Sequence, residues 1–440
     1  MKMKVKLIAV LLFIGYGIYA QTFDKARMDS LFTVIENSGK GMGSVSVFAN
    51  GSEVYRNSIG YVSIEDNIPA TGDTKYRIGS ISKMYTAAII IKLVEEGKLQ
   101  LDSKLEKFFP GIKNSDKITI EHLLGHRSGI YNFTSASDYS SWMESEVSRE
   151  DLVKKITSYP GVFEPGERSE YSNSNYVLLS YIAEKVTGRE FAGILQDFIT
   201  GPYNLANTYY GDGIDVNKGE AFSYSKLGRW NRATQTDMSI PSGAGAIVAT
   251  PTDVNLFLNI LFQGKIVSNE SLQKMMSLKD GFGLGMFQVP FYDKKAYGHT
   301  GGIDGFSSMA FYFPDEDVSV AYFSNGTDMV VNDIIIGVLS IYFGKDYDLP
   351  VFAGSVEADP GVLDQYTGVY STPDLPLKIT ITTQNGVLIG QGTGQPAFPL
   401  DADGEHKFKF DQAMLRMEFV PEENKMILRQ GGGEFVFKKE

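Results

Sequence analysis

The sequence predicts an α/β (α+β) domain, a sheet flanked by helices and carrying a helical lobe, followed by a small all-β, barrel-like domain. Three observations predict it. Strand patterns lie near both ends of the first 344 residues, and mostly helical ones fill the interval between them. After about Gly344 the composition changes to short alternating strands. The chain has 440 residues, 43% hydrophobic and 21% charged, which is ordinary globular composition and long enough for more than one domain.

The opening, MKMKVKLIAVLLFIGYGIYAQT, reads as a secretory signal, with an uncleaved anchor as the lesser alternative, rather than as part of the fold. Lys2, Lys4 and Lys6 form a basic region, Leu7 to Ile14 an apolar one, and Ala20 a small residue before a cut at Gln21. The apolar run is too short for a convincing membrane span. Residues 1–20 are therefore expected to be removed and the mature chain to be periplasmic or secreted. The first folded domain is then expected over 21–344, opening on a hairpin in which Asn50-Gly51 joins SVSVFA to SEVYRN. GSISKMYTAAIIIKLVEEG, Gly79 to Gly97, reads as a helix apolar nearly all round, which places it inside the protein, with Gly97 as its left-handed terminus. From there to about Gly264 the pattern is mostly helical. The best-marked start has Thr250 as N-cap, Pro251 at the first position and Asp253 at the third. FSSMAFYFPDEDVSVAYFSNG, from Phe306, reads as two strands around a Pro-Asp turn. KDYDLPVFAGSVEADPG, 345–361, reads as a linker. In the β-domain expected over 362–440, Leu377, Ile379 and Ile381 alternate with Lys378, Thr380 and Thr382 before an Asn385-Gly386 turn. Leu415, Met417 and Phe419 alternate with Arg416 and Glu418, and Phe435 and Phe437 finish the chain.

Composition narrows the function. The sequence has no cysteine, which excludes thiol catalysis, cysteine-ligated zinc and disulfide stapling of an exported chain. The formal net charge is −12, which argues against nucleic acid or an anionic membrane as partner. The expected partner is a small-molecule or peptide substrate, with no cofactor.

Ser80 and Lys83 share one face at i and i+3, at the mouth of the apolar helix. Lysine is the wrong sign for a helix N-terminus, and its burial lowers its pKa, so that a neutral amine can take a proton from serine. Ser-x-x-Lys recurs at Ser223/Lys226 and Ser271/Lys274, in surroundings that read as bland surface. Tyr171-Ser172-Asn173 stands just ahead of another helix. Its phenol can relay protons, and its asparagine can hold a substrate carbonyl or orient Lys83; a buried tyrosine and a capping asparagine would look the same. His299-Thr300-Gly301-Gly302 leads into a strand, where glycines admit a substrate backbone and a free N–H can serve an oxyanion.

In this order and with these flanks, the segments resemble the serine β-lactamase and penicillin-binding-protein superfamily. The likeness is to the branch with class C β-lactamases, D-alanyl-D-alanine carboxypeptidases, D-aminopeptidases and esterases. It runs from about Phe23 to Ser340 through YRIGSISK, ITIEHLLGHRSGI, FEPGERSEYSN, SGAGAIVATPTD and GHTGGIDGF. The C-terminal segment with YTGVY is similar to a β-barrel appendage of some members. The resemblance implies a β-lactamase/transpeptidase-like fold and an acyl-enzyme on Ser80. Lys83 and Tyr171 would form the proton relay, and Asn173 would position the substrate amide. His299, Thr300, Gly301 and Gly302 would form the binding strand, with Ser80 N–H and Gly302 N–H as the oxyanion hole. The implied substrates are D-amino-acid peptides of peptidoglycan type or small amides and esters. A non-turnover receptor for penicillin or cell-wall peptide, and a true β-lactamase, are the alternatives. His299 departs from the lysine of most β-lactamases, which puts efficient β-lactam hydrolysis in doubt and makes a substrate carboxylate dependent on the protonation of an imidazole. His122 and His126 have an i, i+4 spacing that can hold a metal, but the usual glutamate between them is missing and helix packing through Leu123 and Leu124 reads better; no metal is expected.

Overall fold

The computed structural model describes residues 23–352, 363–375, 377–384, 387–410 and 413–440. The expected signal segment, residues 353–361 of the expected linker and the Asn385-Gly386 turn lie outside the described residues. The larger domain is built on helix α1 (Lys25–Asn37), strands β1 (Gly41–Ala49) and β2 (Ser52–Ile59), and helices α2 (Ser82–Glu95), α3 (Asn173–Thr187) and α4 (Pro251–Phe262). Strands β3 (Phe287–Phe291), β4 (Lys294–Ile303), β5 (Phe306–Phe313) and β6 (Val318–Thr327) and helix α5 (Val331–Tyr342) complete it. The sheet order is β3-β4-β5-β6-β1-β2, antiparallel throughout, so the first and last segments of the domain pair with each other.

Period-two alternation assigns the two faces. In β6, Val320 and Tyr322 pack with α1 and α5, whereas Ala321 and Phe323 pack with α2, α3 and α4. Strand β1 lies between β6 and β2 and is buried along its whole length. The Asn50-Gly51 turn has positive φ at both residues, the geometry that matches the twist of paired strands. In α2 the residues from Ser82 to Ile91 are all buried, and Gly97 follows it at φ +71°. Thr250 caps α4 by accepting from the Asp253 N–H.

The helical expectation fails over much of the interval. Residues 98–172 hold two α-helices, Ile120–Leu124 and Arg149–Ser158, beside short 3-10 turns, and residues 205–250 hold 3-10 turns at Val216–Lys218 and Ser242–Ala244 and short strands at Tyr209–Tyr210, Tyr224–Leu227, Arg229–Arg232 and Ile247–Ala249. Gly228, at φ +71°, turns the second of these into the third, and aromatic residues on both arms favour pairing. Ser223, in the same stretch, is buried rather than on the surface, and its hydroxyl accepts from the Gly305 N–H.

The C-terminal strands close an eight-stranded antiparallel barrel, in which Tyr370 pairs with Lys439. Its interior is filled by Tyr366, Phe408, Met417, Phe419, Met426 and Phe437. Lys40 ties the barrel to the sheet domain, reaching both Asp328 at 3.0 Å and Asp401 at 3.5 Å. Among the described residues no helix is long and apolar enough to cross a membrane.

Candidate active site

Ser80 does not lie in the α-helix proper. Gly79–Ile81 form a single 3-10 turn that feeds α2, with Gly79 at φ +50°. A side chain on Gly79 would come within 2.9 Å of the Gly302 nitrogen, so glycine lets the end of β4 lie directly against the serine turn. Gly301 is held as tightly: a Cβ there would meet the Ile78 carbonyl at 2.1 Å and Ser308 Oγ at 2.3 Å. The Ser308 hydroxyl donates to that same carbonyl at 2.8 Å, which locks β5 to the turn.

Three segments meet at Ser80. Lys83 Nζ is 2.9 Å from Ser80 Oγ, and Tyr171 Oη donates to Ser80 Oγ at 2.7 Å. Lys83 also reaches Asn173 Oδ1 and the Ala244 carbonyl, both at 2.8 Å. Those two oxygens can only accept. A neutral amine has two N–H donors and one lone pair, so satisfying both leaves the lone pair for the serine hydroxyl proton. Burial holds the Lys83 amine well below the ordinary lysine range, which favours this neutral form. Burial also pushes the Tyr171 phenol up, so it stays protonated and serves as a donor. The site therefore holds a base and an acid on one nucleophile.

Asn173 is the first residue of α3, after Ser172 at the N-cap position. Its amide is engaged at both ends, Oδ1 by Lys83 and Nδ2 by Thr134 Oγ1 at 3.0 Å, so its observed task is to orient the lysine. Gly302 is exposed and lines the cleft with Ser80, where its N–H and that of Ser80 can face one oxygen. Gly301 is buried behind it and Thr300 is half-buried in the same strand.

His299 sits differently from a carboxylate-binding cation. It is buried, packs its ring 4.8 Å from that of Phe287 and 6.1 Å from that of Tyr171, and donates through Nδ1 to the Thr300 carbonyl. Burial pushes its pKa down, so it is neutral at ordinary pH. His122 is absorbed by its own helix, where Nδ1 accepts the Thr119 N–H in a capping box.

His126 is the functional residue that the metal question obscured. Its Nδ1 accepts the Ser172 N–H at 3.1 Å, and its ring lies 4.5 Å from that of Tyr171. The segment following it pins the same loop, since Asn132 Oδ1 accepts the Asn173 N–H at 3.0 Å and Ser174 Oγ donates to the Tyr131 carbonyl at 2.6 Å. Burial keeps the His126 imidazole well below its usual pKa, as an acceptor must be. Replacing it with phenylalanine leaves a buried N–H unpaired at a cost of about 1–3 kcal/mol and frees Tyr171. The expected result is a fall of about 10- to 100-fold in kcat with KM little changed, while His126→Asn, whose Oδ1 can accept, recovers much of it. A loss confined to the melting temperature would assign His126 to stability alone.

The triad opens onto a cleft of about 580 Å³, walled by Phe133, Thr134, Tyr139, Thr236, Ile303 and Asp304 among others. Known proteins share this architecture. The Beta-lactamase family profile matches residues 33–336. Penicillin-binding protein 4* of Bacillus subtilis is 26% identical over 93% of this chain and 97% of its own. Teichoic acid D-alanine hydrolase of Staphylococcus aureus is 27% identical over 68% of this chain and 71% of its own. The D-amino acid amidase from Ochrobactrum anthropi SV3, in its complex with L-phenylalanine, superposes with a TM-score of 0.66 at 25% identity, covering 73% of this chain and 98% of that one.

Proposed function

Since this chain belongs to the Beta-lactamase family and is a hydrolase of that family, we propose that it cleaves amides or esters of D-amino acids through an acyl-enzyme on Ser80. The observation that carries the proposal is Ser80 Oγ standing between Lys83 Nζ at 2.9 Å and Tyr171 Oη at 2.7 Å, at the edge of an open cleft.

Neutral Lys83 takes the Ser80 proton as Oγ bonds to the substrate carbonyl carbon. The Ser80 and Gly302 N–H groups hold the resulting oxyanion; removing one such donor commonly costs about 2.7–4 kcal/mol of transition-state stabilisation. Tyr171 Oη gives its proton to the departing nitrogen or oxygen as the carbon–leaving-group bond breaks, and is reprotonated from Lys83 across the serine. In deacylation the sequence reverses, with water in the place of the leaving group.

The D-configuration is supported by two relatives, a teichoic acid D-alanine hydrolase and a D-amino acid amidase. The test is phenol release from the phenyl esters of N-acetyl-D-alanine and N-acetyl-L-alanine, with nitrocefin alongside. Faster multiple turnover of the D-ester is expected, with nitrocefin turned over poorly because neutral His299 stands where a lysine would. Equal rates on both enantiomers, or turnover of nitrocefin alone, would overturn the reading. Export belongs to the same proposal, on the basic and apolar opening of the sequence. It predicts a mature N-terminus at Gln21 in the extracytoplasmic fraction.

A further inference from the structure

A second cavity, of about 720 Å³, lies outside the acyl-transfer cleft. That volume suits a small organic ligand. The segment 236–245 separates the two spaces. Thr236, Pro241, Ala244 and Gly245 line the cleft, whereas Asp237, Met238, Ser239 and Ser242 line the second cavity. Ser80, Lys83, Tyr171 and Asn173 are not among its lining residues.

Its wall is acidic. Glu146, Glu184, Glu190, Asp212 and Asp237 line it, against one cation, Arg149. Arg149 pairs with Glu184 at 2.9 Å and with Glu190. Glu184 also accepts the Phe191 N–H at 2.8 Å, yet burial still pushes its carboxyl up, so it is short of positive charge. Among the described residues Glu146, Asp212 and Asp237 form no ion pair. The buried Arg77 is braced by Asp304 at 3.0 Å and acts on Asp237 only from farther away. No three acidic or histidine side chains among the described residues converge closely enough to hold a metal ion. The negative charge is spread along the wall instead, which suits a ligand with spaced cationic groups better than one compact ion.

Tyr181, on α3, points to such a ligand. It lines the cavity and is 4% exposed, and its hydroxyl has no hydrogen-bond partner. A buried hydroxyl left unpaired costs free energy, and a ligand N–H would supply the missing bond. Arg149 shows which chemistry the place accepts, since its guanidinium stands 6.0 Å from the Tyr181 ring centroid. It reaches in from the rim, with its side chain 51% exposed, and an exposed ion pair is weak and readily exchanged. The rings of Tyr210 and Phe191 add aromatic wall for an apolar stem.

We infer that this cavity is a second ligand site, which takes an organic molecule with two primary ammonium groups on a short apolar stem, one of them replacing Arg149 at Glu184 and Tyr181. The site goes beyond the acyl-enzyme reading and does not depend on it.

Calorimetric titration of 1,5-diaminopentane into the whole chain tests it, in about 0.15 M salt to screen long-range attraction to an acidic protein. Saturable one-to-one binding is expected, with tetramethylammonium, which has no N–H, at least about tenfold weaker. In Tyr181→Phe the affinity should fall about 10- to 100-fold, as loss of a hydrogen bond to a charged group implies. The melting temperature of ligand-free Tyr181→Phe should be unchanged or raised, because the hydroxyl removed has no partner. Arg149→Met should bind the diamine about two- to fivefold more tightly, the worth of the exposed pair it displaces. Asp237→Asn should weaken binding, whereas Glu422→Gln, in the barrel, should not. Ser80→Ala should bind as the wild type does, so that failure of the hydrolase reading leaves this site standing. Absence of saturable binding, equal affinity for tetramethylammonium, or weaker binding in Arg149→Met would overturn the inference. So would an unchanged affinity or a lowered ligand-free melting temperature in Tyr181→Phe, or a loss in Glu422→Gln as large as in Asp237→Asn.

Discussion

Acylation of Ser80 is expected to fall by about a hundred- to ten-thousand-fold when Lys83 is replaced by methionine, the range associated with loss of a positioned general base. Methionine fills similar volume at this buried position, against the rings of Tyr171 and Tyr176, so the loss is chemical and not a collapse of α2. A second, opposite effect accompanies it. Burial lowers the folded-state pKa of Lys83 relative to its unfolded value. Between those two values the unfolded chain binds a proton that the folded chain does not, so wild-type stability declines as pH falls, by about 1.4 kcal/mol per pH unit at most. The Lys83→Met chain is free of that dependence, although it leaves Asn173 Oδ1 and the Ala244 carbonyl without their donor. Its melting temperature relative to wild type should therefore improve steadily as the pH is lowered. The acid limb of wild-type kcat/KM has the same origin, since activity requires the neutral amine. Neither His126 nor His299 supplies that limb, because burial keeps both imidazoles uncharged at and above their ordinary pKa. Parallel melting curves for the two chains across pH would show Lys83 to be charged in the folded protein and remove it as the base.

The second large effect is expected from Tyr171→Phe. The ring contacts that seat the side chain, with His126 at 4.5 Å and Phe282 at 6.4 Å between centroids, survive the change, so the fold should too. What is lost is the 2.7 Å hydrogen bond to Ser80 Oγ and the proton destined for the leaving group. An amine departs only if protonated, whereas an activated phenolate departs unaided. The loss should thus be about a hundred- to ten-thousand-fold on an anilide of N-acetyl-D-alanine and much smaller in the acylation burst with its phenyl ester. Equal losses on the two would assign Tyr171 to positioning Ser80; an undiminished rate on the anilide would exclude it from the chemistry.

The parts of this molecule legible in its sequence are those whose physics is local. Asn50-Gly51 encodes its turn because few other pairs tolerate positive φ twice, and Thr250-Pro251 encodes a helix start. The alternation after Phe306 and in the C-terminal strands encodes faces, and the closed barrel follows from it. Ser80 and Lys83 stand out because a lysine inside so apolar a helix demands a reason. Tyr171 is marked only through the company of the other segments. What the sequence hides is non-local. The acceptor role of His126 depends on an N–H 46 positions away, and the Arg77–Asp304 brace spans 227 positions. His299 carries no local sign that Phe287 and Tyr171 will bury it, so its ordinary titration range suggested a charge that the folded protein suppresses. The strands of residues 205–250 are two to four residues long, too short to impose a period on the helical background expected there.

The most direct measurement is the mass of the intact protein, quenched in acid within one turnover of phenyl N-acetyl-D-alaninate, followed by mapping of the modified peptide. The account predicts a gain equal to one N-acetyl-D-alanyl group on the peptide containing Ser80, returning to the bare mass as substrate is exhausted and absent from Ser80→Ala. Phenol release without any adduct, or an adduct on another residue that persists in Ser80→Ala, would contradict it.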